Sequence, residues 1–235
     1  VKRFKIAALV TATAVTASLT FMPLAFAAAK PSGTNKNSAS SNTSSSGKSI
    51  CKASYAVGHA PKPMTIPVIK KPFKNKTFTF TTNCGDVVIA ADGVKAPLTV
   101  ISMAYMANGG YFDATLCHRL TTKGIYVLQC GDPTASGSGG PAWQVPDENL
   151  PSAGANSYPA GTVAMANSGP NTNGSQFFIV YADNSMLGPN YTIWGRITQG
   201  LEIIKAIAAK GSNNSNGDGD GSPNQTVEII KASAK

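Results

Sequence analysis

Histidine is scarce in this sequence, and its scarcity excludes much chemistry. Only His59 and His118 occur. No nucleophile-elbow pattern accompanies His118, so a Ser-His-Asp hydrolase fails on motif grounds. His118 lies in a segment expected to be strand, where a hydrogen-bonded core histidine is the simplest expectation. Four scattered cysteines, with no C-x-x-C and no H-E-x-x-H spacing, supply no metal set, and no cofactor is expected. Acidic residues are also few, 11 against 20 Lys and Arg, for a formal charge of +9. Nothing joins that basic excess to an aromatic-basic motif, so no nucleic-acid partner is expected; anionic walls or membranes suit it better. The 23 Gly and 15 Pro argue against a coiled coil and for a loop-rich globular protein.

Composition divides the chain into four. Residues 1–27 carry the marks of a signal peptide: Lys2, Arg3 and Lys5, then an apolar run from Ile6 to Phe21, then Pro23 ahead of Ala25-Phe26-Ala27. The run is nearly long enough to span a membrane, so an uncleaved anchor is the alternative and the only membrane attachment expected. Residues 28–50 are Ser-, Asn- and Thr-rich and too polar to bury a core, as a flexible linker would be. Residues 51–75 form a Pro- and Lys-rich arm that gains Tyr55, Met64, Ile66, Val68, Ile69 and Phe73. An extended course partly laid against a domain follows from that mixture.

The domain itself is expected over residues 76–235. Thr77 to Thr81 alternates with period two, and Val87 to Ala90 returns as the second strand of a hairpin. Pro97 suits the first turn of a helix that stops at Gly109-Gly110. Leu116–Leu120 and Tyr126–Gln129 predict a second hairpin, and strands are predicted to end at Asn167, Tyr181 and Ile197. A second helix is predicted over Leu201–Ala209, with Gly211 beyond it, and a last strand over Thr226–Lys231. Eight strands, two helices and no βαβ rhythm point to a mainly β fold, a closed eight-stranded antiparallel barrel capped by two α-helices. The run Asn216–Gly221 invites a calcium reading, but its twelfth position is Val227 and flanking helices are missing, so a solvated turn is expected.

The stretch Gly169–Tyr181, GPNTNGSQFFIVY, organises the rest. Turn-formers that supply positive φ or local hydrogen bonds fill its first half, and an aromatic, β-branched strand fills its second. With the preceding residues it reads MANSGPNTNGSQFFI, Met165 to Ile179, which closely resembles the signature of cyclophilin-type peptidyl-prolyl isomerases. The resemblance covers roughly Lys76 to the C-terminus and implies the barrel just described. It also implies an enzyme acting on X-Pro bonds; with the signal peptide ahead of the domain, exported proteins in a secreted or cell-envelope setting are the expected substrates, and a monomer is expected.

Prolyl isomerisation needs no nucleophile or metal, because its barrier of about 18–20 kcal/mol comes from amide resonance. It needs a proline pocket, backbone anchors and a donor that favours the twisted amide. Through the resemblance, Arg119 in Cys117-His118-Arg119-Leu120 matches the catalytic arginine and Gln129 the glutamine that orients it. Tyr126, Val127 and Phe178 match the proline pocket, Gln176 a further peptide contact, and Ala166, Asn167 and Ser168 the segment that pairs with substrate backbone. Met186-Leu187 falls where many members have Trp-Leu, and Tyr191 where many have His. Met186 therefore predicts weakened binding of cyclosporin-type cyclic peptides. The rival, from another class, is a non-catalytic Pro-peptide-binding or chaperone module that uses the same groove and could lose Arg119 with little effect; the plainest reading of Arg119 itself is an ordinary strand-surface ion pair. The cysteines suit an oxidising compartment. Three pairings are open; the hairpin favours Cys117 with Cys130, which leaves Cys51 with Cys84, and free buried thiols are the alternative.

Overall fold

Alternation of apolar and polar side chains builds the first hairpin. In a computed structural model, which describes residues 51–154, 156–183 and 186–235, β1 (Lys76–Thr82) turns at Asn83-Cys84 into β2 (Gly85–Ala91). Phe78 faces Ile89 and Phe80 faces Val87, all four buried, as the period-two pattern requires. The signal-peptide and linker expectations, residues 1–27 and 28–50, lie outside the described residues.

Eight further strands follow: β3 (Thr115–Leu116), β4 (Arg119–Thr121), β5 (Val127–Cys130), β6 (Thr162–Met165), β7 (Phe177–Val180), β8 (Ile193–Gln199), β9 (Asp220–Gly221) and β10 (Glu228–Ala234). They form one antiparallel sheet in the order β3-β10-β1-β2-β8-β6-β7-β5-β4-β9. The fold is mainly β with two helices, as expected, but strand count and closure differ from the expectation. The predicted strand Leu116–Leu120 breaks at Cys117-His118. Its first part pairs with β10 and its second with β5 and β9, so the sheet is hydrogen-bonded open and joined across the gap by the chain itself. His118 lies in that break, outside any strand.

The helices complete the core. α1 (Pro97–Asn108) is apolar on most sides and buries Val100, Met103, Ala104, Met106 and Ala107. It lacks a side-chain cap of its own; the Glu148 carboxylate accepts the Leu98 and Thr99 N–H groups at 3.0 and 2.9 Å. An acid supplied by a distant loop thus satisfies the orphan donors of a helix start. α2 (Leu201–Ala208) buries Ile204 and Ile207 in the same core. Disulfides join Cys51 to Cys84 and Cys117 to Cys130, the pairing the hairpin favours. The first ties the arm to the β1–β2 turn, and the second ties the break after β3 to the end of β5. Between residues 51 and 75 there is no helix or strand. The arm touches the domain through Met64 against Gly109, and through Lys62 Nζ, which donates to the Gly109 carbonyl at 2.7 Å. Tyr55, Val57, Ile66 and Val68 are exposed.

Candidate active site

Strand register assembles the site. Arg119 on β4 faces Gln129 on β5, Gln129 faces Phe178 on β7, and Phe178 faces Ala164 on β6. One row thus crosses four strands on a single face. Successive residues of a strand point to opposite faces, so Leu128, Phe177 and Ile179 enter the main core while Val127, Phe178 and Val180 form a smaller apolar cluster outside it. Ala164 and Tyr158 complete that second cluster. A cleft of about 130 Å³ opens on it, lined by Arg119, Val127, Gln129, Phe178, Leu187 and Tyr191, with Ile125, Ala166 and Asn167.

A second groove, about 330 Å³, adjoins the first and shares Gln129, Ala166 and Asn167 with it. Ser168 and Gln176 line this second part. The structure therefore brings ten of the twelve expected catalytic and substrate-contact residues into one continuous depression. Tyr126 is not among them. An extended chain cannot aim both Tyr126 and Val127 into one cleft; Ile125 joins Val127 there, and Tyr126 packs edge-on against Tyr181 at 6.0 Å. Met186 stands on the rim beside Gly124, 73% exposed, and does not line the cleft.

Hydrogen bonds fix the polar side of the cleft. Arg119 Nη1 donates to Gln129 Oε1 at 3.2 Å, and Gln129 Nε2 donates to Gln176 Oε1 at 2.9 Å. Gln176 Nε2 donates in turn to the Gly137 and Gly139 carbonyls, both at 2.9 Å. The loop that supplies those carbonyls is wound around the buried Asp132 carboxylate, which accepts N–H groups from Thr134, Gly137 and Gly139. Burial pushes Asp132 toward protonation, but the Thr134 and backbone hydrogen bonds outweigh it and hold its pKa below the ordinary value. A train of amides therefore runs from a rigid loop to the guanidinium.

The turn-former half of the organising stretch is held from outside. Asn171, at φ +61°, accepts the Asp147 N–H through Oδ1 at 2.9 Å and donates its own N–H to the Asp147 carboxylate at 2.9 Å. Asn173 Nδ2 donates to Asp147 and to the Val145 carbonyl. Gly131, at φ +91°, lets Ser175 approach: a Cβ there would sit 2.2 Å from the Ser175 carbonyl oxygen, which no other residue tolerates.

Two contributors escaped the sequence reading. Tyr158, buried behind the cleft, accepts the Tyr191 N–H at 2.9 Å and donates to the Tyr191 carbonyl at 3.2 Å. Its ring and that of Tyr191 stand edge-on to Phe178, at 6.3 and 5.3 Å. Asp220 is the other. Expected to lie in a solvated turn, it sits on β9 and accepts Arg119 Nε at 2.8 Å and Nη2 at 2.6 Å. That pair holds the Asp220 pKa down, against burial, and raises that of Arg119. No local pattern marks Tyr158 or Asp220, since both act across large sequence separations.

His118 departs from expectation too. Its ring nitrogens are shut off from solvent without a hydrogen-bond partner among the described residues. Burial lowers its pKa, the Asp132 charge and the nearby Gln176 opposing and the Arg119 charge adding, so the charged form is disfavoured beside the site.

Comparison with known proteins gives a consistent result. The family model for cyclophilin type peptidyl-prolyl cis-trans isomerases matches residues 77–234. A probable peptidyl-prolyl cis-trans isomerase B of Mycobacterium leprae is 42% identical over 164 residues, covering 65% of this chain and 55% of the relative. Its Mycobacterium tuberculosis counterpart is 43% identical over 162 residues, covering 64% and 52%. The chain thus spans about half the length of these mycobacterial relatives. Among solved structures, a cyclophilin type isomerase of Cryptosporidium parvum superposes with a TM-score of 0.59 at 28% identity, covering 69% of this chain and 98% of that one. The same protein has been solved in the presence of the dipeptide Ala-Pro, with a TM-score of 0.58 to this chain over 68% of its length. With a family match over most of the chain and a shared fold, the chain belongs to the cyclophilin type peptidyl-prolyl cis-trans isomerase family.

Proposed function

We propose that the domain is a peptidyl-prolyl cis-trans isomerase that accelerates X-Pro isomerisation in proteins folding outside the cell membrane. The cross-strand row of Arg119, Gln129 and Phe178 carries this reading. It sets a permanently charged, planar donor beside an apolar floor. The 130 Å³ cleft is comparable to the roughly 150 Å³ that takes up a benzene ring, so a proline ring can enter over Phe178 with its amide toward Arg119.

No bond is made or broken in the reaction. As the C–N bond twists, the amide loses resonance and its nitrogen becomes pyramidal and basic. Arg119 donates to that nitrogen and so favours the twisted state over either planar one. Gln129 holds the guanidinium, Phe178, Val127 and Leu187 grip the ring, and Ala166, Asn167 and Ser168 lie along the substrate backbone. Two disulfides support an oxidising, extracytoplasmic setting, with residues 1–27 directing export and residues 28–50 as tether.

The test is refolding of a protein whose slow phase is limited by a trans-to-cis X-Pro bond, a phase of about 10–100 s uncatalysed. Catalytic amounts of the chain should shorten it in proportion to concentration. A non-catalytic binder would slow the phase or leave it unchanged, and that outcome would overturn the proposal.

A further inference from the structure

The family's arginine and glutamine leave one partner of Arg119 unexplained. A guanidinium offers five N–H donors. Gln129 takes one on Nη1, and Asp220 takes Nε–H and one on Nη2. Clamped on both sides, the group keeps one N–H on each of Nη1 and Nη2 for the cleft. Bidentate carboxylate pairing fixes the guanidinium plane as well as its position.

Asp220 is itself held by a loop built for rigidity. The segment Ser212–Ser222 contains Asn214, Gly217 and Gly219 at positive φ, conformations that Asn and Gly tolerate best. Asn213 Oδ1 accepts the N–H groups of Ser215 and Ser222 at 3.1 and 2.9 Å. Asn214 Oδ1 accepts that of Gly219 at 2.9 Å, and Asn216 Nδ2 donates to Asp220 Oδ1 at 3.2 Å. The loop is also pinned to the strand that carries Arg119. Thr121 pairs with Asp220 and Leu120 with Gly221, Thr122 N–H donates to the Gly219 carbonyl at 2.7 Å, and Lys123 pairs with Asp218. The Asn- and Gly-rich run is therefore a scaffold whose product is one carboxylate at one place.

We propose that Asp220 is a positioning residue for isomerisation, aiming the free edge of the Arg119 guanidinium into the proline cleft from the side opposite Gln129. This rests on the isomerase reading above. A guanidinium released from Asp220 swings on its flexible stem, and the geometry that favours the twisted amide is populated for less of the time. Ground-state binding, which the apolar floor and backbone groove supply, is little affected.

The test is a double-mutant cycle in the full chain, with an Xaa-Pro peptide assay read as kcat and KM separately. Misplacing a catalytic group can cost up to about a hundredfold, so Asp220→Ala should lower kcat by about tenfold or more and leave KM within about twofold. Asp220→Asn keeps the volume and one acceptor and should fall between; it also serves if the alanine variant does not fold. In the Arg119→Ala background, adding Asp220→Ala should change turnover by less than about twofold, because the two act as one unit. A loop that merely supported the fold would lower activity equally in both backgrounds. Unchanged or raised kcat in Asp220→Ala or Asp220→Asn would overturn the proposal, raised kcat showing that the pair restrains Arg119. If the wild-type chain does not catalyse, the isomerase reading falls and this inference with it; catalysis that needs Arg119 but not Asp220 overturns this inference alone.

Discussion

Tyr158→Phe offers a clean perturbation, because it removes one oxygen and no packing volume. The Tyr158 side chain is fully buried, and its hydroxyl joins both backbone groups of Tyr191, at 2.9 Å from N–H and 3.2 Å to C=O. Burial, only partly offset by the bond to Tyr191, pushes its pKa up to about 12, so the hydroxyl stays protonated and donates at every ordinary assay pH. Each hydrogen bond is a net contribution of about 1 kcal/mol, with more lost where a partner is left unpaired. Losing two should cost about 2 kcal/mol, or about 4–8 °C in Tm for a domain of this size. Tyr191 forms one wall of the cleft and stacks edge-on to Phe178 at 5.3 Å. Unpinned, that wall loosens, and KM for an Xaa-Pro peptide should rise about threefold, less than the tenfold that 1.4 kcal/mol would give. Thermal denaturation followed by circular dichroism reads the first effect and peptide kinetics the second. A variant with wild-type Tm and wild-type KM would refute the claim that Tyr158 holds the wall.

Other consequences are as concrete. Asp132 has a folded pKa below its ordinary 3.8, so its stabilisation is present above that value and lost as pH falls through the folded pKa. At pH 7 Asp132→Asn should cost about 1–3 kcal/mol in urea denaturation, with the gap to wild type closing in acid; a gap that widens below pH 3.8 would contradict the sign. Cys117→Ser with Cys130→Ser opens a link spanning 13 residues and should cost about 3 kcal/mol. Removing the Cys51–Cys84 link should leave peptide turnover unchanged but speed proteolysis within residues 51–75, as gel analysis would show. Met186→Trp adds an indole N–H and a rigid ring at the rim, worth about 1–2 kcal/mol. Titration calorimetry should find a cyclosporin-type cyclic peptide bound about tenfold more tightly, and equal affinity would show that the rim does not decide it.

How much of this was legible in the sequence follows from the range of each interaction. Phe78, Phe80, Val87 and Ile89 announce their hairpin because the period-two pattern and the turn are local. The row from Arg119 to Phe178 was legible through the family resemblance, which suggests those residues without giving their register. The break at Cys117-His118 was not, because a chain that changes pairing partners from β10 to β5 keeps its apolar pattern. The resemblance puts Tyr126 and Val127 in one pocket, but alternation along the chain turns Ile125 and Val127 to the cleft and Tyr126 toward Tyr181. Asp220 lies 101 residues from Arg119 and Glu148 49 from Thr99. Nothing in a Gly-Asp-Gly run or a loop glutamate tells which distant donor it will meet.

The central claim is that Arg119 acts on an X-Pro amide held over Phe178. The most direct measurement is isomerisation of a short Xaa-Pro peptide by wild type and by Arg119→Ala, each shown to be folded by circular dichroism. Wild type should accelerate the reaction, and the variant should lose about a hundredfold or more in kcat/KM, comparable to losing an oxyanion-type donor. Equal acceleration by both would contradict the role given to Arg119, and a folded wild type with no acceleration would contradict the account as a whole.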